Sequence, residues 1–150
     1  MQKRVKSHKA QDTEQLAEKI GKQLRGGEII ELSSDLGGGK TTFVRGLARG
    51  AGSSDMVASP TFTISKQYDT PSVCIYHYDL YRLDEAGLIA HELDDSLEDE
   101  SGVVVVEWSE VVAHVLPEKR LKITLDNSGD NSRVITLEYP KQLAYLMEEL

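Results

Sequence analysis

A chain of 150 residues with 39% hydrophobic and 28% charged content has the length for one domain with a sizeable core and the composition of a soluble globular protein. Its single cysteine, Cys74, excludes an internal disulfide, and its longest aliphatic run, Val103-Val104-Val105-Val106, is far shorter than a membrane span. The formal charge of −8 is unevenly placed: residues 1–25 carry seven Lys/Arg against three acids, whereas between Arg82 and Lys119 there are eleven acids and no Lys or Arg, so only the N-terminal segment offers nucleic acid a basic face.

In chain order, residues 1–10 are polar and basic, without the apolar core of a secretory signal, and read as a loose arm ahead of a single domain spanning 1–150. The expected compartment is the cytoplasm, with no membrane contact. Asp12 and Gln15 have the spacing of a capping box, and Leu16, Ile20 and Leu24 repeat every four residues, which predicts a helix ended by Gly26-Gly27. Residues 28–32 form an apolar run that predicts a first strand. It feeds Ser34-Asp35-Leu36-Gly37-Gly38-Gly39-Lys40-Thr41-Thr42, and a helical pattern follows to about Arg49.

Strand, glycine-rich loop, Gly-Lys-Thr and helix is the layout of a phosphate-binding loop. Glycines let the backbone curl so that several N–H groups point into one concavity, and the following helix presents its positive N-terminal end to the same spot. Lys40 adds a full charge for terminal phosphates, and the Thr41 hydroxyl can hold magnesium. The usual motif opens with glycine where this chain has Ser34; if that position needs positive φ, a β-carbon there costs about 1–2 kcal/mol.

Pro60 argues against a helix through residues 57–64. Residues 61–68 and 73–78 read as a hairpin joined by Asp69-Thr70-Pro71-Ser72, followed by short helices at about 84–90 and 94–99. Val103–Val106, bounded by Gly102 and Glu107-Trp108, predicts a strand buried on both faces. Residues 121–125 and 134–138 alternate as a second hairpin across a polar turn at 126–132, and Leu143, Leu146, Met147 and Leu150 predict a short C-terminal helix. The architecture expected is α/β: a three-layer sandwich like the P-loop NTPases, with a mainly parallel central sheet and antiparallel hairpin additions.

Hydrolysis or transfer needs more than a phosphate loop. Ligands of open α/β sheets sit beyond the carboxyl ends of the strands, and Glu107 lies at that end of the most strand-like segment, where an acid can hold the magnesium shell or orient water. Asp79, after the strand 73–78, is the second candidate for the metal, with an ion pair to Arg82 as its rival role. Thr61 is placed to reach a γ-phosphate if the 57–63 loop closes. Trp108, beside Glu107, is expected to touch the nucleotide or a partner. His77 reads as an ordinary sheet residue.

The loop 35–43, then Ser59-Pro60-Thr61-Phe62, His77-Tyr78-Asp79-Leu80-Tyr81-Arg82-Leu83 and Val106-Glu107-Trp108, in that order, resemble the TsaE (YjeE) family. These are small P-loop ATPases of bacterial tRNA threonylcarbamoyladenosine synthesis. The resemblance implies a weak ATPase using ATP/ADP and Mg²⁺, acting with TsaD and TsaB and reaching tRNA only through that complex. It implies phosphate and magnesium contacts at Lys40, Thr41 and Thr42. It puts Thr61 in a switch, Asp79 and Glu107 with magnesium and water, and Trp108 near the nucleotide. The family often has alanine at Gly38 as well as glycine at Ser34. Arg133 resembles a late family arginine.

Two other readings compete. A small-molecule kinase needs basic lid residues, of which the stretch 83–118 has none, with only Lys119 and Arg120 after it. A nucleotide-sensing switch would bind ATP without needing hydrolysis. The acidic stretch is either a solvated face or a docking surface for a basic partner.

Overall fold

The structure is a computed structural model that describes residues 1–35, 37, 39–60 and 62–150. The expectations placed on Leu36, Gly38 and Thr61 lie outside the described residues. Among those described, the strands are β1 (Gln2–Ser7), β2 (Ile29–Ser34), β3 (Ser65–Asp69), β4 (Cys74–Asp79), β5 (Gly102–Glu107), β6 (Leu121–Gly129) and β7 (Ser132–Glu138). They form one mixed sheet in the order β1-β7-β6-β2-β5-β4-β3. β6, β2, β5 and β4 run parallel to one another, while β3 and the β7-β1 pair add antiparallel edges. The helices are α1 (Ala10–Lys22), α2 (Lys40–Gly50) and α3 (Ile89–Glu98), with 3-10 turns at Ser109–Val112 and Lys141–Met147.

The three layers follow from the strand sequences. β5 is buried along its whole length. Val103 and Val105 join Ile20 of α1 and Phe43 and Leu47 of α2 on one face of the sheet. Val104 and Val106 join Leu93 of α3, with Val112 and Leu116, on the other. A strand covered on both sides has no need of polar alternation, and each fully buried aliphatic side chain contributes roughly 1.5–3 kcal/mol. On the first face α1 and α2 pack backbone to backbone. A Cβ at Gly46 would sit 2.1 Å from the Glu14 carbonyl oxygen, so only glycine allows the approach. Arg49 of α2 then reaches both Glu14 and Glu18 of α1, at 3.0 and 2.9 Å.

Three expectations are corrected. Residues 2–7 are not a loose arm: they form β1, paired antiparallel with β7 from Gln2↔Glu138 to Ser7↔Arg133. The strand lies at the sheet edge, where Lys and Arg on the outward positions are tolerated because one side meets water. The first helix begins at Ala10, earlier than the Asp12-Gln15 signature suggests, and Asp12 Oδ2 accepts the His8 backbone N–H at 3.0 Å from inside its first turn. One helix, α3, replaces the two short helices expected at 84–90 and 94–99. The short helix expected at the C-terminus forms, as a 3-10 turn at Lys141–Met147.

What positions the site is the register of the parallel strands. Glu107 of β5 lies level with Leu32 of β2 on one side and Asp79 of β4 on the other. The carboxyl ends of the three strands therefore converge where β2 passes into the glycine loop and α2.

Candidate functional site

After β2, Gly37 (φ 74°) and Gly39 (φ 97°) both lie in the left-handed region that favours glycine. Gly39 is the N-cap of α2, its carbonyl accepting the Phe43 N–H at 2.9 Å. Among the described residues no side chain caps this helix, and its first turn holds no acid. Its first N–H groups and its positive end are thus available to an anion.

Lys40 opens the helix and is 92% buried, being 8% exposed. Its Nζ donates to the Ser34 carbonyl at 3.3 Å and to Ser34 Oγ at 3.1 Å, and it sits 4.8 Å from the centre of the Trp108 ring. Among the described residues it has no carboxylate partner within salt-bridge distance. A buried cation held only by neutral oxygens and an aromatic face is costly unless an anion joins it. Ser34 itself ends β2 and is not among the residues with positive φ. The steric penalty expected there does not arise, because the chain is still extended at that point.

The cleft has a volume of about 360 Å³ and is lined by Gly37, Gly39, Lys40, Thr41, Thr42, Ser59, Asp79, Tyr81, Glu107 and Trp108. Asp79 and Glu107 are both buried, adjacent through the β4-β5 register. Asp79 Oδ1 accepts the Tyr81 N–H at 3.1 Å, and Oδ2 accepts from Ser59 Oγ at 3.3 Å. Arg82, the expected rival partner of Asp79, instead places its guanidinium 4.7 Å from the centre of the exposed Phe62 ring. Trp108 adopts a left-handed backbone, φ 57° and ψ 57°. For a bulky residue this costs about 1–2 kcal/mol. The turn aims the indole at Lys40 and against Tyr81, whose ring centre is 4.9 Å away.

The structure thus brings Gly37, Gly39, Lys40, Thr41, Thr42, Asp79, Glu107 and Trp108 into one lining, with Ser34 behind Lys40. Asp35 is exposed and contributes its carbonyl as acceptor for the Ser34 hydroxyl at 2.8 Å. A second cavity of about 390 Å³ shares Gly37, Gly39 and Thr42 and adds Lys9, Ala10, Thr13, Asn131 and Arg133. Sequence reasoning missed Ser59 and Tyr81 as lining residues. It also missed His77, which is fully buried with Nε2 2.7 Å from Glu107 Oε2.

A tie below the cleft fixes the Trp108 turn. Ser109 Oγ donates to Glu31 Oε1 at 2.8 Å, and the Arg120 guanidinium pairs with the other oxygen. Burial pushes the Glu31 carboxyl up, but the hydrogen bonds from Arg120 and Ser109 and the charges of Arg120 and Lys122 outweigh it, leaving it below the ordinary carboxylate value.

Thr41, Asp79 and Glu107 bring a hydroxyl and two carboxylates to the lining of the cleft. Among the described residues no group of three or more His, Cys, Asp or Glu side chains forms a metal cage. Mg²⁺ commonly takes one or two carboxylates and completes its shell with phosphate oxygens and water, and the Thr41 hydroxyl, Asp79 and Glu107 offer oxygens of that kind.

Comparison with known proteins gives concordant matches. The family model for "Threonylcarbamoyl adenosine biosynthesis protein TsaE" matches residues 7–135. The tRNA threonylcarbamoyladenosine biosynthesis protein TsaE of Bacillus subtilis is 38% identical over 130 residues, covering 84% of this chain and 78% of that one. Its namesake from Treponema pallidum is 38% identical over 138 residues, covering 89% of this chain and 98% of the relative. The crystal structure of Bacillus subtilis YdiB superposes with a TM-score of 0.82 at 32% sequence identity, covering 99% of this chain and 93% of that one.

Proposed function

This chain belongs to the TsaE family, and from that premise we propose that it binds ATP with magnesium, hydrolyses it weakly, and serves threonylcarbamoyladenosine modification of tRNA as an accessory to TsaD and TsaB. The observation that carries the nucleotide reading is Lys40. It is a buried cation at a helix N-terminus that no side chain caps among the described residues, in a cleft also lined by two buried acids. A chain of phosphates supplies the missing negative charge, and the backbone N–H groups around Gly39 and the start of α2 supply the donors.

In this reading the terminal phosphates lie between Lys40 and the acids. Thr41, Asp79 and Glu107 would hold magnesium, which when bound neutralises phosphate charge. Glu107 also orients the attacking water, while Trp108 and Tyr81 shield that end of the cleft. Thr42 faces both cavities, so the ribose and base extend past it toward Lys9, Thr13 and Arg133. Thr61 is assigned to the switch through the family resemblance alone. The cytoplasm is proposed as the compartment because the proposed substrate pathway acts on tRNA. No helix among the described residues is long and apolar enough to cross a membrane.

A nucleotide switch that needs no hydrolysis is the second reading, favoured by the hydrogen bond from Ser59 of the 58–59 loop to Asp79 and by the Tyr68–His77 contacts that lead from Ala58 to Glu107. Phosphate release and threonylcarbamoyladenosine formation with purified TsaD, TsaB and tRNA separate the two. The Glu107→Ala variant is expected to lose both activities while still binding ATP. Modification that survives the loss of hydrolysis would favour the switch, and label transferred from ATP to a small acceptor would sink the ATPase reading.

A further inference from the structure

Glu107 can act on a water or a metal only if its carboxylate is held in one orientation, and β5 alone does not hold it. Among the described residues the side-chain hydrogen bond of Glu107 goes to His77, whose Nε2 lies 2.7 Å from Oε2. His77 is two residues before Asp79 on β4, so both side chains leave the strand on one face, and the β4-β5 register sets that face beside Glu107. The imidazole is fully buried. Its other nitrogen, Nδ1, lies 3.4 Å from the Tyr68 hydroxyl of β3. That hydroxyl in turn donates to the Ala58 carbonyl at 3.0 Å. Ala58 immediately precedes Ser59, which donates to Asp79.

We propose that His77 is the positioning residue of Glu107, and that Tyr68 ties this pair to the loop carrying Ser59. The inference rests on the reading of Glu107 as the acid of an MgATP site. One oxygen of the carboxylate is taken by the imidazole, which leaves the other for the cleft that Glu107 lines. Partners of this kind fix the orientation of an acid without touching the reactants. The chain Ala58–Tyr68–His77–Glu107 also connects the loop to the acid through three successive polar contacts.

The test uses the whole chain with His77→Leu, His77→Gln and Tyr68→Phe. The Gln amide keeps a donor near the Nε2 position, and Phe removes only the hydroxyl. Two quantities are read. The first is the ¹³C resonance of the Glu107 side-chain carboxylate in nucleotide-free protein. The second is the split between kcat and KM for MgATP hydrolysis with TsaD and TsaB present. We expect the resonance to move in His77→Leu and to return toward the starting position in His77→Gln. The expected kcat loss in His77→Leu is about 10–100-fold with KM changed by less than about twofold, largely recovered by His77→Gln and smaller in Tyr68→Phe. An unmoved Glu107 resonance in folded His77→Leu overturns the proposal, as does a KM rise that matches the kcat loss and is not rescued by Gln. If His77→Leu does not fold, Tyr68→Phe decides: an unmoved resonance and unchanged kcat overturn it. A starting protein that neither binds nor hydrolyses MgATP removes the functional reading, while the Glu107 resonance still judges His77.

Discussion

Ser34 stands where a phosphate loop usually has glycine, and its role is set by one contact. Because β2 is still extended there, the side chain costs no backbone strain; its hydroxyl accepts from Lys40 Nζ at 3.1 Å and donates to the Asp35 carbonyl. A phosphate bound at Lys40, as proposed, would compete with that hydroxyl for the ammonium. Removing it with Ser34→Gly leaves the carbonyl at residue 34 as the remaining acceptor. The variant should bind MgATP with equal affinity or up to about tenfold more tightly, the net worth of one such hydrogen bond. Isothermal titration measures this, and weaker binding would show that the hydroxyl contacts the nucleotide directly. Residues of this kind mark the limit of sequence reading. Asp79, Glu107 and Trp108 were legible because each sits at the end of a recognisable strand. The His77–Glu107 bond was not, because it joins residues thirty positions apart through a parallel register that no local pattern encodes.

Among the elements, β5 was read directly from four consecutive valines, since a strand covered on both faces shows an unbroken apolar run. β1 escaped for the opposite reason. Its inward positions are Lys3, Val5 and Ser7, which give no apolar alternation, and its stability comes from pairing with β7 far along the chain. The boundaries of α3 were blurred because its buried residues, Leu93 and Ser96, are few and one is polar. The α1–α2 pair sets the tilt of the helix whose first turn faces the cleft, and it depends on the missing side chain at Gly46. Gly46→Ala would push a methyl against the Glu14 carbonyl, 2.1 Å away, and against the Ala17 side chain at 3.0 Å. Such overpacking costs about 1–3 kcal/mol. Urea unfolding should show the midpoint falling accordingly, and an unchanged midpoint would contradict the close approach of the two helices.

For the molecule as a whole, the chemistry and the acidic charge lie in different places. The cleft gathers at the carboxyl ends of β2, β4 and β5, and α3 on the opposite layer from α1 and α2 presents Asp94, Asp95 and Glu98 to solvent. If this face docks a basic partner, reversing all three charges to lysine should weaken association with TsaD and TsaB and flatten its salt dependence, while MgATP affinity stays unchanged. Unaltered association would return the face to ordinary solvated surface. The cleft carries its own spectroscopic probe. Trp108 is the only tryptophan, and its ring lies 4.8 Å from Lys40 Nζ. Titration with MgATP should change the Trp108 emission saturably, and the change should vanish in Lys40→Ala at the same nucleotide concentrations. An emission that stays flat in the unaltered chain, or responds equally in both proteins, would contradict a nucleotide site built around Lys40.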